Sequence, residues 1–94
     1  MPAIGLLSVE LHIPGSRSLK DKRGVLRSIK DRLRKLNVSV TELDYHELHQ
    51  RSALGVVAIG STRSVVDRSL STANDEIGKR ADHVILSMAI DWLM

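Results

Sequence analysis

The spacing of apolar residues constrains this chain more than any other feature, because it changes between the period of a strand and that of a helix. Residues 6–13 alternate between apolar and polar side chains, which predicts a half-buried strand closed by a Pro-Gly turn. Over residues 19–36 apolar side chains recur about every 3.6 positions, which predicts an amphipathic helix. Ser18 precedes this helix as its N-cap, with Asp21 in the capping-box position three residues later.

The rest of the chain continues this order of patterns. Residues 37–44 alternate and predict a second strand, and the polar residues 45–51 predict a connection or an extended strand end. Residues 53–60 are apolar on both faces, which is typical of a central strand. Ser64, with Asp67 three residues on, predicts the start of a second helix. The last predicted strand, residues 83–94, has apolar side chains that share one face: Val84, Leu86, Met88, Ile90 and Trp92.

The order of the predicted elements is β-α-β-β-α-β. Two right-handed βαβ crossovers that share one sheet give a ferredoxin-like α+β sandwich, with a four-stranded antiparallel sheet and both helices on one face. The 94 residues leave room for a single domain, residues 1–94. The chain is therefore expected to be one ferredoxin-like domain.

Composition excludes several classes of protein. The chain has no Cys, which excludes disulfide scaffolds, thiolate metal sites and cysteine nucleophiles. The longest apolar run, residues 53–59, is far shorter than the roughly 20 residues of a membrane-spanning helix. The apolar N-terminal stretch lacks a basic leader, so it does not have the pattern of a signal peptide. These features predict a cytoplasmic protein.

Positive charge is concentrated in the first predicted helix. The whole chain has a net charge of +3, but residues 17–36 hold nine Lys or Arg against two Asp. That segment is therefore +7 and the other residues together are −4. A local excess of positive charge points to an anionic partner more specifically than a high overall pI does.

Within that segment, one helix face has a basic stripe whose members lie within an arc of about 80°. The members of the basic stripe are Lys20, Arg23, Arg27, Lys30 and Arg34. Cations at three- and four-residue spacing are about 5–6 Å apart and can match phosphates along a nucleic-acid backbone. A solvated helix face is the alternative, although a face that serves solubility alone usually has interspersed acidic residues.

A second candidate anion site is the turn before the first helix. In the predicted fold the first and third strands are expected to lie side by side and parallel, so both helices begin at the same edge of the sheet. Arg17 and Lys20 would then lie near Arg63, where the amides of helix N-termini attract a phosphate or carboxylate. Capping of the helices by Ser18 and Ser64 is the alternative role for this region.

No catalytic constellation is apparent in the sequence. No nucleophile elbow surrounds any Ser, and the glycine-rich turn after the third strand lacks the frame and the lysine of a P-loop. His46 and His49 lie among acidic residues, but their spacing matches no firm metal signature, so exposed loop histidines are expected. The sequence therefore predicts a non-enzymatic protein with no cofactor and no metal.

The low aromatic content limits how the chain can bind RNA. RNA-binding sheets stack bases on exposed aromatic rings, whereas this chain has no Phe and a single Tyr and Trp. Any nucleic acid is therefore expected to be bound through its phosphates and shape, by the first helix rather than the sheet.

Several short motifs resemble the YlxP-like family of bacterial proteins, a domain of unknown function numbered 503. They are the runs at residues 11–15, 18–20 and 22–23, the Asn-Val-Ser-Val at 37–40, and the Gln-Arg-Ser-Ala-Leu-Gly-Val at 50–56. The resemblance covers residues 4–82 and implies a ferredoxin-like fold. It also implies a role around translation or ribosome maturation, because family genes often lie beside those of translation and ribosome-binding factors. Many members have Trp where this chain has His49.

Two functions from different classes follow. The basic stripe favours an RNA- or ribosome-associated binding domain, whereas apolar side chains on both sheet faces favour a self-associating or regulatory module that binds a small anion or a protein. The sheet face without helices is expected to form a homodimer through Leu6, Leu54, Val56 and Ala58. Coverage of that face by residues 45–51 is the alternative.

Overall fold

The computed structural model describes residues 1–80 and 82–94. Their helices and strands follow the predicted β-α-β-β-α-β order. The elements are β1 (Ala3–His12), α1 (Leu19–Leu33), β2 (Ser39–Asp44), β3 (Arg51–Gly60), α2 (Arg63–Ile77) and β4 (Val84–Trp92). The strands form one antiparallel sheet in the order β2-β3-β1-β4. The predicted α+β fold is therefore confirmed, and within the described residues neither helix is long and apolar enough to cross a bilayer.

Both helices pack on one face of the sheet, which we call the covered face. Alternate residues of β1, such as Leu7 and Val9, are fully buried there. Leu26 and Ile29 of α1 and Leu70 of α2 lie in the same core cluster. The opposite face, called the open face, has no helix against it. The sequence alternation therefore predicts correctly that one face of β1 is buried and the other is partly exposed.

The strand directions differ from one expectation. β1 and β3 are neighbours but antiparallel, with Ala3 opposite Gly60 and His12 opposite Arg51. Since α1 follows His12 and α2 follows Gly60, the two helices begin at opposite ends of strands about 30 Å long. The prediction that both helices start at the same sheet edge is therefore wrong.

The two helix starts also differ in how well the sequence predicts them. Ser18 caps α1 as expected, since its Oγ accepts a hydrogen bond from the Asp21 N–H at 3.0 Å. In α2 the cap is Thr62 rather than Ser64, and Thr62 Oγ1 accepts from the Val65 N–H at 3.2 Å. Ser64 already lies inside the helix, so its predicted capping role is wrong. Both Ser and Thr are favoured at the N-cap, so two such residues close together leave the start of the helix ambiguous.

Each edge strand contains a bulge that changes which side chains face the core, in β2 between Glu42 and Asp44 and in β4 at Leu86. In β4, Ser87 lies opposite Glu10 but Ile85 lies opposite Leu11, so Leu86 is an extra residue. Val84 consequently faces the open side, opposite His12. The predicted single face of β4 therefore holds only for its last part, where Met88, Ile90 and Trp92 oppose core-facing β1 residues.

Candidate nucleic-acid interface

The orientation of α1 is set by its apolar residues. Leu26, Ile29 and Leu33 are buried against the sheet and α2, so the opposite side of the helix faces outward. The helix has Asp21 in its first turn and Lys30 and Arg32 in its last, which suits the helix dipole. This packing fixes where the basic stripe points.

All members of the basic stripe are exposed, as the sequence predicts: Lys20, Arg23, Arg27, Lys30 and Arg34. Arg34 Nη2 forms an ion pair with Asp31 Oδ1 at 3.1 Å. Among residues 1–80 and 82–94, the other stripe members have no carboxylate within ion-pair distance. The Arg23 side chain instead donates from Nε to the Leu19 carbonyl at 3.3 Å. Most of the stripe's charge is thus free to meet an external anion.

The basic stripe also lines a cleft between α1 and the edge strand β2. This cleft has a volume of about 320 Å³, with Arg23, Arg27, Lys30 and Arg34 on its wall and Glu42 at its β2 side. A smaller hollow of about 170 Å³ continues it along Val38 and Val40. The cations therefore surround a concave surface rather than a flat helix face.

Glu42 does not neutralise the basic stripe, because it is already paired with a buried lysine. Its Oε2 lies 2.9 Å from Lys22 Nζ and accepts a hydrogen bond from Ser52 Oγ at 2.7 Å. The Lys22 ammonium also donates to the carbonyls of Tyr45 at 2.8 Å and Arg51 at 3.2 Å. Its side chain is only 2% exposed. Lys22 therefore joins α1, β2 and the β2–β3 connection.

Sequence reasoning missed this buried role of Lys22, although a signal was present. Lys22 lies four residues before Leu26, which places it on the apolar side of α1 rather than on the basic stripe. A lysine in that position needs acceptors nearby to be buried. The sequence does not say that Glu42 and two carbonyl groups supply them.

Two further cations, Arg32 in the last turn of α1 and Lys35 just after it, lie near α2. Arg32 and Lys35 act on Glu76, whose pKa is lowered first by a hydrogen bond from Lys79 and then by these positive charges. The Lys79 Nζ–Glu76 Oε1 distance is 2.8 Å. Arg32 and Lys35 thus act on the Glu76 carboxylate through their charge, without lying within ion-pair distance of it.

The predicted anion site that combined Arg17, Lys20 and Arg63 does not form. Arg17 and Lys20 lie at the start of α1, whereas Arg63 opens α2 at the other end of the sheet. The Arg63 guanidinium lies over the Trp92 ring, 4.9 Å from its centroid. The antiparallel pairing of β1 and β3 is the physical reason for this separation.

Both aromatic side chains are engaged within the molecule. The Tyr45 hydroxyl donates to Glu10 Oε1 at 3.2 Å, and Arg51 lies 4.8 Å from the centroid of its ring. Trp92 packs against the core and under Arg63. Each ring therefore has a guanidinium over one of its faces, which reduces the surface available for stacking a base.

The histidines that lie among acidic residues in the sequence belong to no metal-binding cluster of the described residues. His46 and His49 are exposed in the β2–β3 connection. Within the part of the chain that the structure describes, no group of three or more His, Cys, Asp or Glu side chains is arranged to hold a metal ion. His12 lies half-buried on the open face, with Nδ1 3.2 Å from the Gln50 carbonyl.

Three of the four residues predicted at the dimer interface do not lie on the open face. Leu54, Val56 and Ala58 are at most 2% exposed and lie in the core, so they face the helices and not a partner. Only Leu6 of the predicted set lies on the open face. Because β3 is apolar on both faces, its sequence pattern does not indicate which set turns inward. The open-face residues of β3 are Arg51, Ala53, Gly55, Val57 and Ile59.

Comparison with known proteins places this molecule in a family. The family model described as "Protein of unknown function (DUF503)" matches residues 4–90. The chain belongs to the DUF503 family. It is also 38% identical over 68 residues to the uncharacterized protein YlxP of Bacillus subtilis strain 168, covering 71% of this chain and 74% of the relative. The predicted family membership is therefore confirmed, and no activity comes with it.

Proposed function

We propose that this DUF503 domain is a non-enzymatic RNA-binding protein that grips phosphates with the basic stripe of α1. One observation carries the proposal: four of the five stripe cations line one cleft, and three of these four have no ion-pair partner among the described residues. Arrays of this kind bind nucleic acid largely by releasing counterions from its phosphates. The gene neighbourhood implied by the family resemblance favours ribosomal RNA or a ribosomal particle in the cytoplasm.

The mode of binding follows from the groups that are free. Arg51 lies over one face of Tyr45 and Arg63 over one face of Trp92, so we expect base stacking to contribute little. The basic stripe supplies guanidinium and ammonium donors, which contact phosphate oxygens without reading sequence. We therefore expect binding that depends on the shape of a folded RNA and varies little with its base sequence.

The test is the salt dependence of RNA affinity. The stripe variant replaces Arg23, Arg27, Lys30 and Arg34 with Gln. The control variant replaces Arg63, Arg68, Lys79 and Arg80 with Gln, which removes the same charge near α2. If the stripe residues contact four phosphates, the slope of log affinity against log salt falls by about 3 in the stripe variant. The control variant should change it by less than about 1.

The probe is a duplex RNA of about 16 base pairs, followed by purified ribosomal subunits on a sucrose gradient. Both variants keep the buried residues of α1, so circular dichroism should show an unchanged fold. Equal affinity of wild type and stripe variant at low salt would contradict the proposal. So would equal losses in the stripe and control variants.

A further inference from the structure

The cleft beside the basic stripe has a different chemistry on each of its two sides. The α1 side supplies guanidinium and ammonium groups, which donate hydrogen bonds and cannot accept them. The β2 side supplies Glu42, whose carboxylate accepts hydrogen bonds and cannot donate them. Asp31 also lines the cleft, but it belongs to α1, is exposed and pairs with Arg34. A ligand in the cleft therefore meets donors on one side and an acceptor on the other.

The fold fixes the position of the Glu42 carboxylate. Glu42 lies opposite Leu54 of β3, whose side chain is in the core, so Glu42 projects toward the helices. Lys22 Nζ lies 2.9 Å from Glu42 Oε2, and Ser52 Oγ donates to the same oxygen at 2.7 Å. The carboxylate is thus oriented before any ligand arrives, which is the property that a specific contact needs.

These internal contacts use only one of the two carboxylate oxygens. Among residues 1–80 and 82–94, no hydrogen bond reaches Glu42 Oε1. This atom is not enclosed either, because the Glu42 side chain is 15% exposed where it lines the cleft. Oε1 is therefore an oriented acceptor that is open to a ligand.

The charge of Glu42 does not prevent a polyanion from entering the cleft. Lys22 and Glu42 form a pair with no net charge. Arg23, Arg27 and Lys30 on the opposite wall have no ion-pair partner among the described residues. A nucleic-acid strand in the cleft therefore meets net positive charge together with one fixed acceptor.

The backbone of RNA contains a donor for this acceptor, whereas the backbone of DNA does not. Phosphate and sugar-ring oxygens only accept hydrogen bonds, and deoxyribose within a strand has no hydroxyl group. The ribose 2′-hydroxyl can donate, and it lies beside the phosphate of each nucleotide. Duplex RNA displays these hydroxyls along its wide minor groove, where proteins contact them together with phosphates. The two sides of the cleft therefore match the RNA backbone.

We propose that Glu42 Oε1 accepts a hydrogen bond from a ribose 2′-hydroxyl while the basic stripe holds the neighbouring phosphates. Glu42 is then the residue that makes the cleft selective for RNA over DNA. This role rests on the proposed function, because the stripe must first bind the strand. The stripe sets the affinity and its salt dependence, and Glu42 sets the preference for ribose.

Two duplexes of the same sequence test the proposal with the wild-type protein. One is RNA, and the other has fluorine in place of each 2′-hydroxyl, which keeps the A-form and the phosphates but cannot donate. The fluorinated duplex should bind about 10-fold more weakly, because a hydrogen bond to a charged acceptor is lost. The slope of log affinity against log salt should be equal for both, because the phosphate contacts remain.

Glu42→Gln tests which residue contacts the hydroxyl. Lys22 and Ser52 should keep the amide oxygen on their side, so the amide NH₂ points into the cleft and a donor replaces the acceptor. The two duplexes should then differ by less than about 2-fold. Asp31→Asn is the matched control, since it removes the other carboxylate of the cleft, and it should keep the wild-type ratio. Circular dichroism checks the fold of both variants, and the wild-type comparison needs neither.

The outcomes separate this proposal from the proposed function. Equal affinity of wild type for both duplexes, with a salt slope that still depends on the stripe, would overturn the role of Glu42 alone. Loss of the ratio in Asp31→Asn rather than in Glu42→Gln would also overturn it. Absence of salt-dependent RNA binding by wild type would contradict the proposed function, and the role of Glu42 with it.

Discussion

The two sides of α1 show the same residue types in opposite environments. On the inner side, Lys22 is almost fully buried and its ammonium has Glu42 and two carbonyl groups as acceptors. On the outer side, Lys20 and the other stripe members are exposed, and most have no acidic partner among the described residues. Charge on a helix is therefore not a functional signal by itself. Its meaning depends on whether the fold already supplies the counter-charge.

The strongest test of this comparison removes the buried cation. Lys22→Met should lower the free energy of unfolding by about 3–5 kcal/mol, because it leaves Glu42 without its partner in a mostly buried site. Lys20→Met, on the outer side of the same helix, should change it by less than about 0.5 kcal/mol. Urea denaturation at pH 7 measures both. Equal effects would contradict the distinction between the two sides.

The double variant Lys22→Met with Glu42→Leu sharpens the same test. Replacing both partners with apolar side chains should recover part of the lost stability, since no unpaired charge is left behind. Recovery should be incomplete, because the carbonyls of Tyr45 and Arg51 and the hydroxyl of Ser52 lose their partners as well.

A second comparison is between the cations that line the cleft and the half-buried Arg32 with the exposed Lys35, which lie near Glu76. Arg23→Gln with Arg27→Gln should reduce affinity for duplex RNA by about 10–100-fold at low salt, because these residues line the cleft without acidic partners. Arg32→Gln with Lys35→Gln removes the same charge beside Glu76 and should reduce it by less than about 3-fold. Fluorescence anisotropy with labelled RNA distinguishes the pairs. If both pairs lost affinity equally, net charge alone would explain the binding.

A third prediction concerns the only glycine within α1, at position 24. Gly24 is exposed, and a Cβ at that position would meet no atom within 4 Å. Gly24→Ala should therefore stabilise the protein by about 0.5–1 kcal/mol, through the lower conformational entropy of the unfolded chain. Thermal unfolding measures the gain. A loss of stability would mean that the outer side of α1 is more constrained than its exposure indicates.

The smallest effect is expected from Glu76 of α2, which lies near Arg32 and Lys35. The pKa of Glu76 lies below its ordinary value of 4.5 because of the Lys79 hydrogen bond and the nearby cations. Its ionised form therefore stabilises the fold above pH 4.5, and this contribution is lost as the pH falls through the lowered pKa. Glu76→Gln should be slightly less stable than wild type at pH 7 and indistinguishable near pH 3. A difference that grows on acidification would contradict this assignment.

Much of the candidate site follows from the sequence. The spacing of the basic stripe and of Leu26, Ile29 and Leu33 predicts which side of α1 is exposed, because helix geometry relates spacing directly to direction. The Ser18 cap is predicted for a similar local reason. The cleft is not predicted, since it depends on how far edge strand β2 lies from α1.

The failed predictions share one cause, which is that each required knowledge of a partner element. Arg63 was expected beside Arg17, but the antiparallel pairing of β1 and β3 places the helix starts at opposite ends. Leu54, Val56 and Ala58 were expected on the open face, but β3 presents apolar residues on both faces and its alternation carries no direction. The bulge at Leu86 likewise depends on the register of β4 against β1.

Local periodicity, capping and short motifs are enough to predict the order of the elements, the exposed side of α1 and the family. The covered face of β3, the relative positions of the two helix starts and the burial of Lys22 with Glu42 emerge only when the strands and helices pack together. The physical reason is the range of the interactions. Helix periodicity acts within a few residues, whereas strand pairing and the burial of a charge join residues that are far apart in the chain.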